Sequence, residues 1–412
     1  MKLCICGLGY IGLPTAAVFA SNGVLVNGVE VNQNTIDIIN QGKIHIIEPG
    51  LGEIVKSVVE SGHLKVSDKA CEADGYIICV PTPFIGDHEP DLSYVDAAAK
   101  EIAPYIRRGN TVILESTSPV GTTERVAAII RGMRPELNVA TESSEDCDVY
   151  LAYCPERVLA GNTLNELANN DRIIGGINKI SARKAAEIYG IFVKGELLQT
   201  NARTGEMSKL TENAFRDVNI AFANELSLIC DRLDIDVWEL ISLANRHPRV
   251  NILNPGPGVG GHCIAVDPWF IVSKTPKEAQ IINMARHIND NKPEWVKEQV
   301  RKAAADLYGK SFKIACLGLA FKPDIDDLRE SPSVYITRDL AGEFPGSVLA
   351  VEPNISELPA NLQGLDISLV SLEEALKADI VLLLVDHKEF KAVKPVFRED
   401  QKLIDTRGLW LR

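Results

Sequence analysis

Short apolar runs alternate with longer amphipathic stretches through the first half of the chain. LCICGLG (3–9), VLVNGVEV (24–31), HLKVS (63–67), GYIICV (75–80), TVILES (111–116) and VYLAY (149–153) read as strands, and segments such as GLPTAAVFASNG and SYVDAAAKEIAPYI lie between them as helices. Near-continuous apolar strands separated by helices mark βαβ units, a parallel sheet covered on both faces. Residues 1–195 are therefore expected to form one doubly wound domain. From 203 to 233 there is no proline, the single glycine sits near the start, and Met207, Leu210, Ala214, Val218, Ala221, Phe222 and Ile229 recur at helical spacing. That spacing predicts one long amphipathic helix. Further helix is expected from 277 to about 308, after a glycine-rich interruption. The α/β alternation then restarts in FKIACLGLAF, SVLAVEP, ADIVLLLVD and KLIDTRG. The expected architecture is an N-terminal Rossmann domain (1–195), a central helical domain (196–308) and a smaller Rossmann-like lobe (309–412), the two lobes alike in architecture alone. A helical segment between two α/β lobes is a natural subunit interface, so a homodimer or higher homo-oligomer is expected.

Composition narrows the class. With 46% hydrophobic and 24% charged residues the chain is neither disordered nor fibrous, and a net charge of -13 argues against general affinity for nucleic acid or an anionic membrane. No apolar run approaches the ~20 residues that span a bilayer, and no cleavable signal pattern follows Met1, so a cytoplasmic protein is expected. Nine cysteines lie scattered without paired CxxC spacing, and Cys4, Cys6, Cys79 and Cys316 fall in strand-like runs, as buried thiols do. No metal site is expected, because His262 and Cys263 have no second ligand pair at suitable spacing.

The first strand runs into GLGYIG, with Gly7, Gly9 and Gly12 around Tyr10 and Ile11, and Glu30 closes the next strand. Glycine-rich turns are common, but a preceding strand, a following helix and an acidic residue at this distance together point to a dinucleotide. The glycines allow the turn, the approach of a pyrophosphate and close helix packing, and the helix N-terminus offers unpaired N–H groups. Glu30 can accept from the adenine ribose hydroxyls and would repel a 2′-phosphate, which favours NAD over NADP. Thr82 of CVPTP and Glu115, Ser116 and Thr117 of ESTSPVGTT lie at strand ends, where the ligand crevice of an open α/β sheet opens. For Thr82 and Thr117 helix capping accounts for the residues equally well.

In NPGPGVGGHCIAVDP (254–268) four glycines and three prolines surround Cys263. Such a loop lets backbone approach a ligand and leaves the thiol reachable. A thiol of ordinary pKa ~8.5 needs a lowered pKa or a base to act as a nucleophile. A structural cysteine in a tight turn fits the composition equally well. Lys209, Asn213 and Arg216 share one helix face, either a solvated stripe or a cleft lining, and Asp267 lies four residues beyond the thiol.

GLGYIG, CVPTP, ESTSPVGTT, CPERVLAG, KLTENAFRDVNIAFANEL, NPGPGVGGHCIAVDP, GLAFKPDIDDLRESP and IDTRG occur in this order over essentially the whole chain. Together they resemble the nucleotide-sugar 6-dehydrogenases of the UDP-glucose/GDP-mannose dehydrogenase superfamily. The stretch 246–270 is most similar to the branch acting on UDP-N-acetyl-D-mannosamine, with the UDP-N-acetylglucosamine branch close to it and the UDP-glucose branch further away. The resemblance implies NAD-dependent, four-electron oxidation of a sugar C6 alcohol to a uronate through a thiohemiacetal and thioester on Cys263, in cell-surface polysaccharide synthesis. It implies Lys209 as acid/base or oxyanion partner, and Asn213 and Asp267 as supports for water and proton movement. Thr117 and Glu156 belong to the catalytic set it implies, and Glu156, Arg157 and Val158 line the substrate site. Arg216, His247, Arg249 and Gly261 fall on the sugar or phosphates, Lys322 and Arg407 on the UDP moiety, and Arg329 on the NAD. Glu30 departs from the Asp more usual in that family. Two rival classes are a two-electron hydroxyacid-type dehydrogenase, which has no use for Cys263, and a nucleotide-sugar-binding protein without activity.

Overall fold

The apolar runs become strands buried on both faces. In the computed structural model, which describes residues 1–410 apart from 87, 145, 159–160, 262 and 308, the chain forms two compact units, Met1–Thr211 and Glu212–Arg412. The first is built on an eight-stranded sheet. From one edge its order is Leu197–Asn201, Arg172–Gly176, Tyr150–Tyr153, Thr111–Leu114, Gly75–Ile78, Lys2–Cys6, Leu25–Val29 and Leu64–Ser67. All neighbouring pairs are parallel except Tyr150–Tyr153 against Arg172–Gly176. Successive side chains enter opposite layers: Leu3, Ile5 and Ile77 join one core cluster, Cys4, Cys6, Tyr76 and Ile78 the other. Truncating any of these leucines or isoleucines to alanine would cost about 2–5 kcal/mol.

The second unit carries a five-stranded parallel sheet in the order Ile367–Leu369, Val348–Val351, Ile314–Leu317, Ile380–Leu383, Lys402–Asp405. Its strands divide in the same way, with Ile314 and Cys316 in one layer and Ala315 and Leu317 in the other. The buried-thiol expectation holds for Cys4, Cys6 and Cys316, whereas Cys79 is partly exposed.

The long helix spans Ala202–Leu233, within a residue of its predicted start. Its buried face differs from the predicted apolar stripe. Leu210, Ala214 and Ala221 are buried, but Met207, Phe222 and Ile229 are exposed, and the buried positions include Glu206, Asp217, Asn224 and Ser227. Apolar periodicity cannot register a polar residue whose hydrogen bonds are made inside the protein. Glu206 accepts from the backbone N–H groups of Gly121 and Thr123, each at 2.7 Å, and so caps the helix Thr122–Met133. Asp217 pairs with Arg286 of the second long helix, Gln280–Ala305, at 2.6 Å. Among the described residues no helix is long and apolar enough to cross a membrane.

Candidate active site

The turn after Lys2–Cys6 has the geometry that a dinucleotide requires. Gly7 has φ +87°, and a Cβ there would lie 2.8 Å from the Cys79 carbonyl oxygen. A Cβ on Gly12 would come within 1.8 Å of the Gly7 oxygen, whereas one on Gly9 would meet nothing within 4 Å. Gly7 and Gly12 therefore serve the turn and the helix packing, and Gly9 leaves open space over the N-terminus of Gly12–Ser21, where a pyrophosphate fits. Tyr10 is exposed and Ile11 half-buried beside it.

Glu30 is already engaged. Its Oε2 accepts from Leu8 N–H at 3.1 Å, and its Oε1 from Val31 N–H at 2.9 Å and Asn32 N–H at 3.1 Å. A carboxylate has about four acceptor positions, so capacity for a ribose hydroxyl remains while the turn itself is held by the same group.

This device occurs twice, which corrects the expectation that the lobes share architecture alone. Gly318, at φ +90°, follows Ile314–Leu317 and donates to Val351 O at 2.8 Å, as Gly7 donates to Val29 O at 2.9 Å. Glu352 Oε2 accepts from Leu319 and Ala320 N–H at 2.7 and 2.9 Å, and Oε1 from Asn354 N–H at 3.1 Å. VEVN (29–32) and VEPN (351–354) are the same turn. In the second copy His387 Nε2 lies 3.0 Å from Glu352 Oε2 and the carboxylate is fully enclosed. Burial alone would raise its pKa, but His387 and the backbone donors hold it below the usual range. The second turn thus has no acceptor left for a dinucleotide ribose.

Thr82 donates to the Thr117 carbonyl at 2.7 Å, tying two strand-end loops together. Glu156 is buried, and both its carboxylate oxygens are engaged. Its Oε1 accepts from Arg157 N–H at 2.6 Å and its Oε2 pairs with Arg172 at 2.6 Å, with burial raising the carboxyl's pKa and Arg172 opposing that shift. Arg172 also pairs with Glu115 at 3.0 Å and stacks on Tyr189, while Glu115 accepts from Tyr189 at 2.7 Å and Cys79 at 2.9 Å. Sequence reasoning missed Arg172, because a lone arginine opening the run RIIGG gives no sign of being buried. Arg157 donates to Asp171 O at 3.2 Å, and Val158 packs against the core. Leu159 and Ala160 of CPERVLAG lie outside the described residues.

The glycines of the thiol loop make room for the protein's own chain. A Cβ on Gly260 would fall 2.5 Å from Glu330 O, one on Gly261 2.9 Å from the Phe321 ring, and one on Gly256 2.6 Å from Arg407 Nη1. Gly258 and Gly261 also hold φ of +141° and +83°, the conformational freedom expected of glycines in this loop. Gly261 N–H reaches Arg329 O at 3.3 Å, and Arg407 donates to Pro255 O at 3.3 Å and to Asp386 at 2.9 Å. Segment 321–332, with Lys322 and Arg329, therefore packs on the loop. The Arg329 guanidinium is paired with Asp327 at 2.6 Å.

Cys263 is the exposed cysteine, and its carbonyl accepts from the N–H groups of Val266 and Asp267. His262 lies outside the described residues. Asp267 begins the helix Asp267–Lys274, where the helix dipole favours its charge, and it is buried. Asn213 Nδ2 donates to Asp267 Oδ2 at 2.6 Å. The structure thus brings together Asn213, Asp267 and the loops of Cys263, Lys322 and Arg407. Lys209 is half-buried one turn earlier in the long helix, and Arg216, His247 and Arg249 are exposed. Among the described residues Asp324, His387 and Glu389 form one group of metal-ligand types, but His387 Nδ1 already accepts from Asp324 N–H at 3.0 Å.

Comparison with known proteins gives three matched segments. Residues 1–193 match the NAD binding domain, 203–291 the central domain and 315–412 the UDP binding domain of the UDP-glucose/GDP-mannose dehydrogenase family. The chain is 59% identical to the UDP-N-acetyl-D-mannosamine dehydrogenase of Campylobacter jejuni, covering 95% of this chain and 97% of that one. It is 56% identical to the enzyme of the same name from Salmonella typhi, over 98% of each. The solved UDP-D-ManNAc dehydrogenase of Pyrococcus horikoshii superposes with TM-score 0.86 at 39% identity, over 99% of this chain and 96% of that one.

Proposed function

The chain belongs to the UDP-glucose/GDP-mannose dehydrogenase family, and on that premise we propose that it oxidises the C6 alcohol of UDP-N-acetyl-D-mannosamine to the uronate. The observation that carries the reading is an exposed Cys263 on a loop whose next helix opens with Asp267, itself bonded to Asn213. A binding protein has no use for a presented thiol with a carboxylate behind it, and a two-electron dehydrogenase has none for the thiol.

NAD, when bound, would supply the hydride acceptor for both oxidations, two NAD being consumed per sugar. The turn at Gly7, Gly9 and Gly12 with Glu30 would hold it. Cys263 Sγ adds to the C6 aldehyde, forming the C–S bond as the C=O π bond opens and the thiol proton passes to that oxygen. Lys209 is assigned the alkoxide, first taking the hydroxyl proton and then stabilising negative oxygen. Removal of hydride from C6, with release of the hydroxyl proton, would leave a thioester on Cys263. Asp267, oriented by Asn213, directs the water that cleaves the C–S bond and returns the thiol. The net change is one alcohol, two NAD and one water going to one carboxylate, two NADH and three protons. Glu156, held by Arg172, is assigned the shaping of segment 156–158, with Arg157 and Val158 on the substrate. Lys322, Arg407, Arg216, His247 and Arg249 are assigned to the UDP-sugar, and Arg329 and Thr117 to the cofactor side.

The exposed Phe215, Phe222 and Ile229 stand seven positions apart on the long helix, a stripe that supports a homodimer through this face. Nine cysteines without a disulfide fit a reducing cytoplasm, and a uronate product fits use by glycosyl transfer into a polysaccharide. The test is Cys263→Ser. It should form no uronate from UDP-N-acetyl-D-mannosamine, and full uronate formation would refute the reading.

A further inference from the structure

Behind the thiol loop runs a line of buried amides that the reaction does not use. Gly256 N–H, seven residues before Cys263, donates to Asn224 Oδ1 at 2.9 Å. Asn224 Nδ2 donates to Asn289 Oδ1 at 2.8 Å, and Asn289 Nδ2 donates to Asp217 Oδ1 at 2.8 Å and to Asp217 O at 3.1 Å. Arg286 closes the line on Asp217 at 2.6 Å. Asn224, Asn289, Asp217 and Arg286 are each at most 1% exposed.

The direction of this line is forced. A backbone N–H can only donate, so the oxygen of Asn224 faces Gly256 and its NH₂ faces Asn289. Asn289 must then present its oxygen to Asn224 and its NH₂ to the carboxylate, which Arg286 balances. Every joint has one polarity, and turning either amide sets donor against donor or acceptor against acceptor. A buried pair left in that state costs about 1–3 kcal/mol, so the line locks the rotation of both amides.

Simple adhesion of the two long helices does not call for a bond to the loop. Ser227, one turn beyond Asn224, already joins those helices through Lys292. Asn224 alone in this line reaches the loop, at its first glycine, where Arg407 holds the adjacent Pro255 carbonyl from the other side.

We infer that Asn224 and Asn289 are positioning residues for the thiol loop, fixing its root so that Cys263 is presented at one height and angle. The inference rests on the reading of Cys263 as the nucleophile only for its effect on turnover. The effect on the thiol's own reactivity stands without it.

The experiment measures the rate at which iodoacetamide alkylates Cys263 in the substrate-free protein, followed by peptide mass spectrometry, beside kcat, KM for NAD and melting temperature. Asn224→Ala should change the alkylation rate by about tenfold and lower kcat about tenfold to a hundredfold, with KM for NAD unmoved. Asn289→Ala, which leaves the bond to Gly256 but frees the Asn224 amide to turn, should shift the same readings the same way by less, and it serves if Asn224→Ala does not fold. Ser227→Ala controls for lost packing between the helices and should lower the melting temperature without altering Cys263 alkylation. Folded Asn224→Ala and Asn289→Ala proteins with parental alkylation rates and kcat overturn the inference, as does an equal change in Ser227→Ala. Failure of the nucleophile reading shows separately, as an active Cys263→Ser.

Discussion

The side-chain amide of Asn213 donates to the buried carboxylate of Asp267 at 2.6 Å, across fifty-four residues of sequence. A buried carboxylate without a donor is costly, so the bond both stabilises Asp267 and fixes which oxygen faces away from Asn213. If the pair orients the hydrolytic water, Asp267→Asn lowers kcat by about 10²-fold or more with a small change in melting temperature. Asn213→Ala should lose less. The double variant should be no slower than Asp267→Asn, since the two act as a unit. Steady-state kinetics on the three proteins checks this, and losses that multiply would mean separate roles.

Glu30 holds three backbone N–H groups, and we assign it the ribose of the cofactor. Charge and shape can therefore be separated. Glu30→Gln removes the charge and keeps one acceptor oxygen, which can serve either Leu8 N–H or the Val31 and Asn32 N–H groups but not both, and it should raise KM for NAD severalfold while improving the use of NADP. Glu30→Ala strands the N–H groups as well and should also lower stability by about 1–3 kcal/mol. Unchanged NAD/NADP preference in Glu30→Gln would remove the ribose assignment.

Lys292 is buried over the Trp295 ring at 3.7 Å, and burial brings its pKa from 10.5 down to about 7, with Asp231 opposing. Between those values the unfolded chain binds a proton that the folded chain has released, so stability rises with pH across that window. Below about pH 7 both states are protonated and the folded state carries the full cost of the enclosed charge. Lys292→Met should raise stability near neutral pH and flatten the rise at alkaline pH, as read by urea unfolding at several pH values. An unaltered slope would contradict the assignment.

Phe222 is half exposed on the long helix between Phe215 and Ile229. Phe222→Arg places a charge in the proposed subunit contact and should yield monomer at concentrations where the parent is a dimer, as measured by light scattering. A parent that is monomeric would contradict the contact outright.

Strands whose residues alternate between two apolar layers were legible because both layers leave a mark on the sequence, as in LCIC and TVIL. Arg172–Gly176, Leu197–Asn201 and Ile367–Leu369 were not read as strands: glycine ends the first, polar residues fill the second, and the third is three residues long. The glycine turn and Cys263 were visible as composition. What the glycines face was not, because Phe321, Glu330 and Arg407 lie tens of residues away along the chain. The same holds for Arg172, Asn224 and Asn289, whose polarity suggests a surface until the partner that permits their burial is seen. The twin turns at VEVN and VEPN were present in the letters, and three shared residues are too few to signal a repeat without the hydrogen bonds.

The central claim is a four-electron oxidation through Cys263, and the most direct measurement is NADH formed per sugar consumed. Excess NAD is supplied with limiting UDP-N-acetyl-D-mannosamine, and with UDP-N-acetylglucosamine and UDP-glucose in parallel. Two NADH per UDP-N-acetyl-D-mannosamine, with far slower turnover of the other two, is the predicted result. One NADH per sugar, or none with any of them, would contradict it and leave Cys263 a structural residue of its loop.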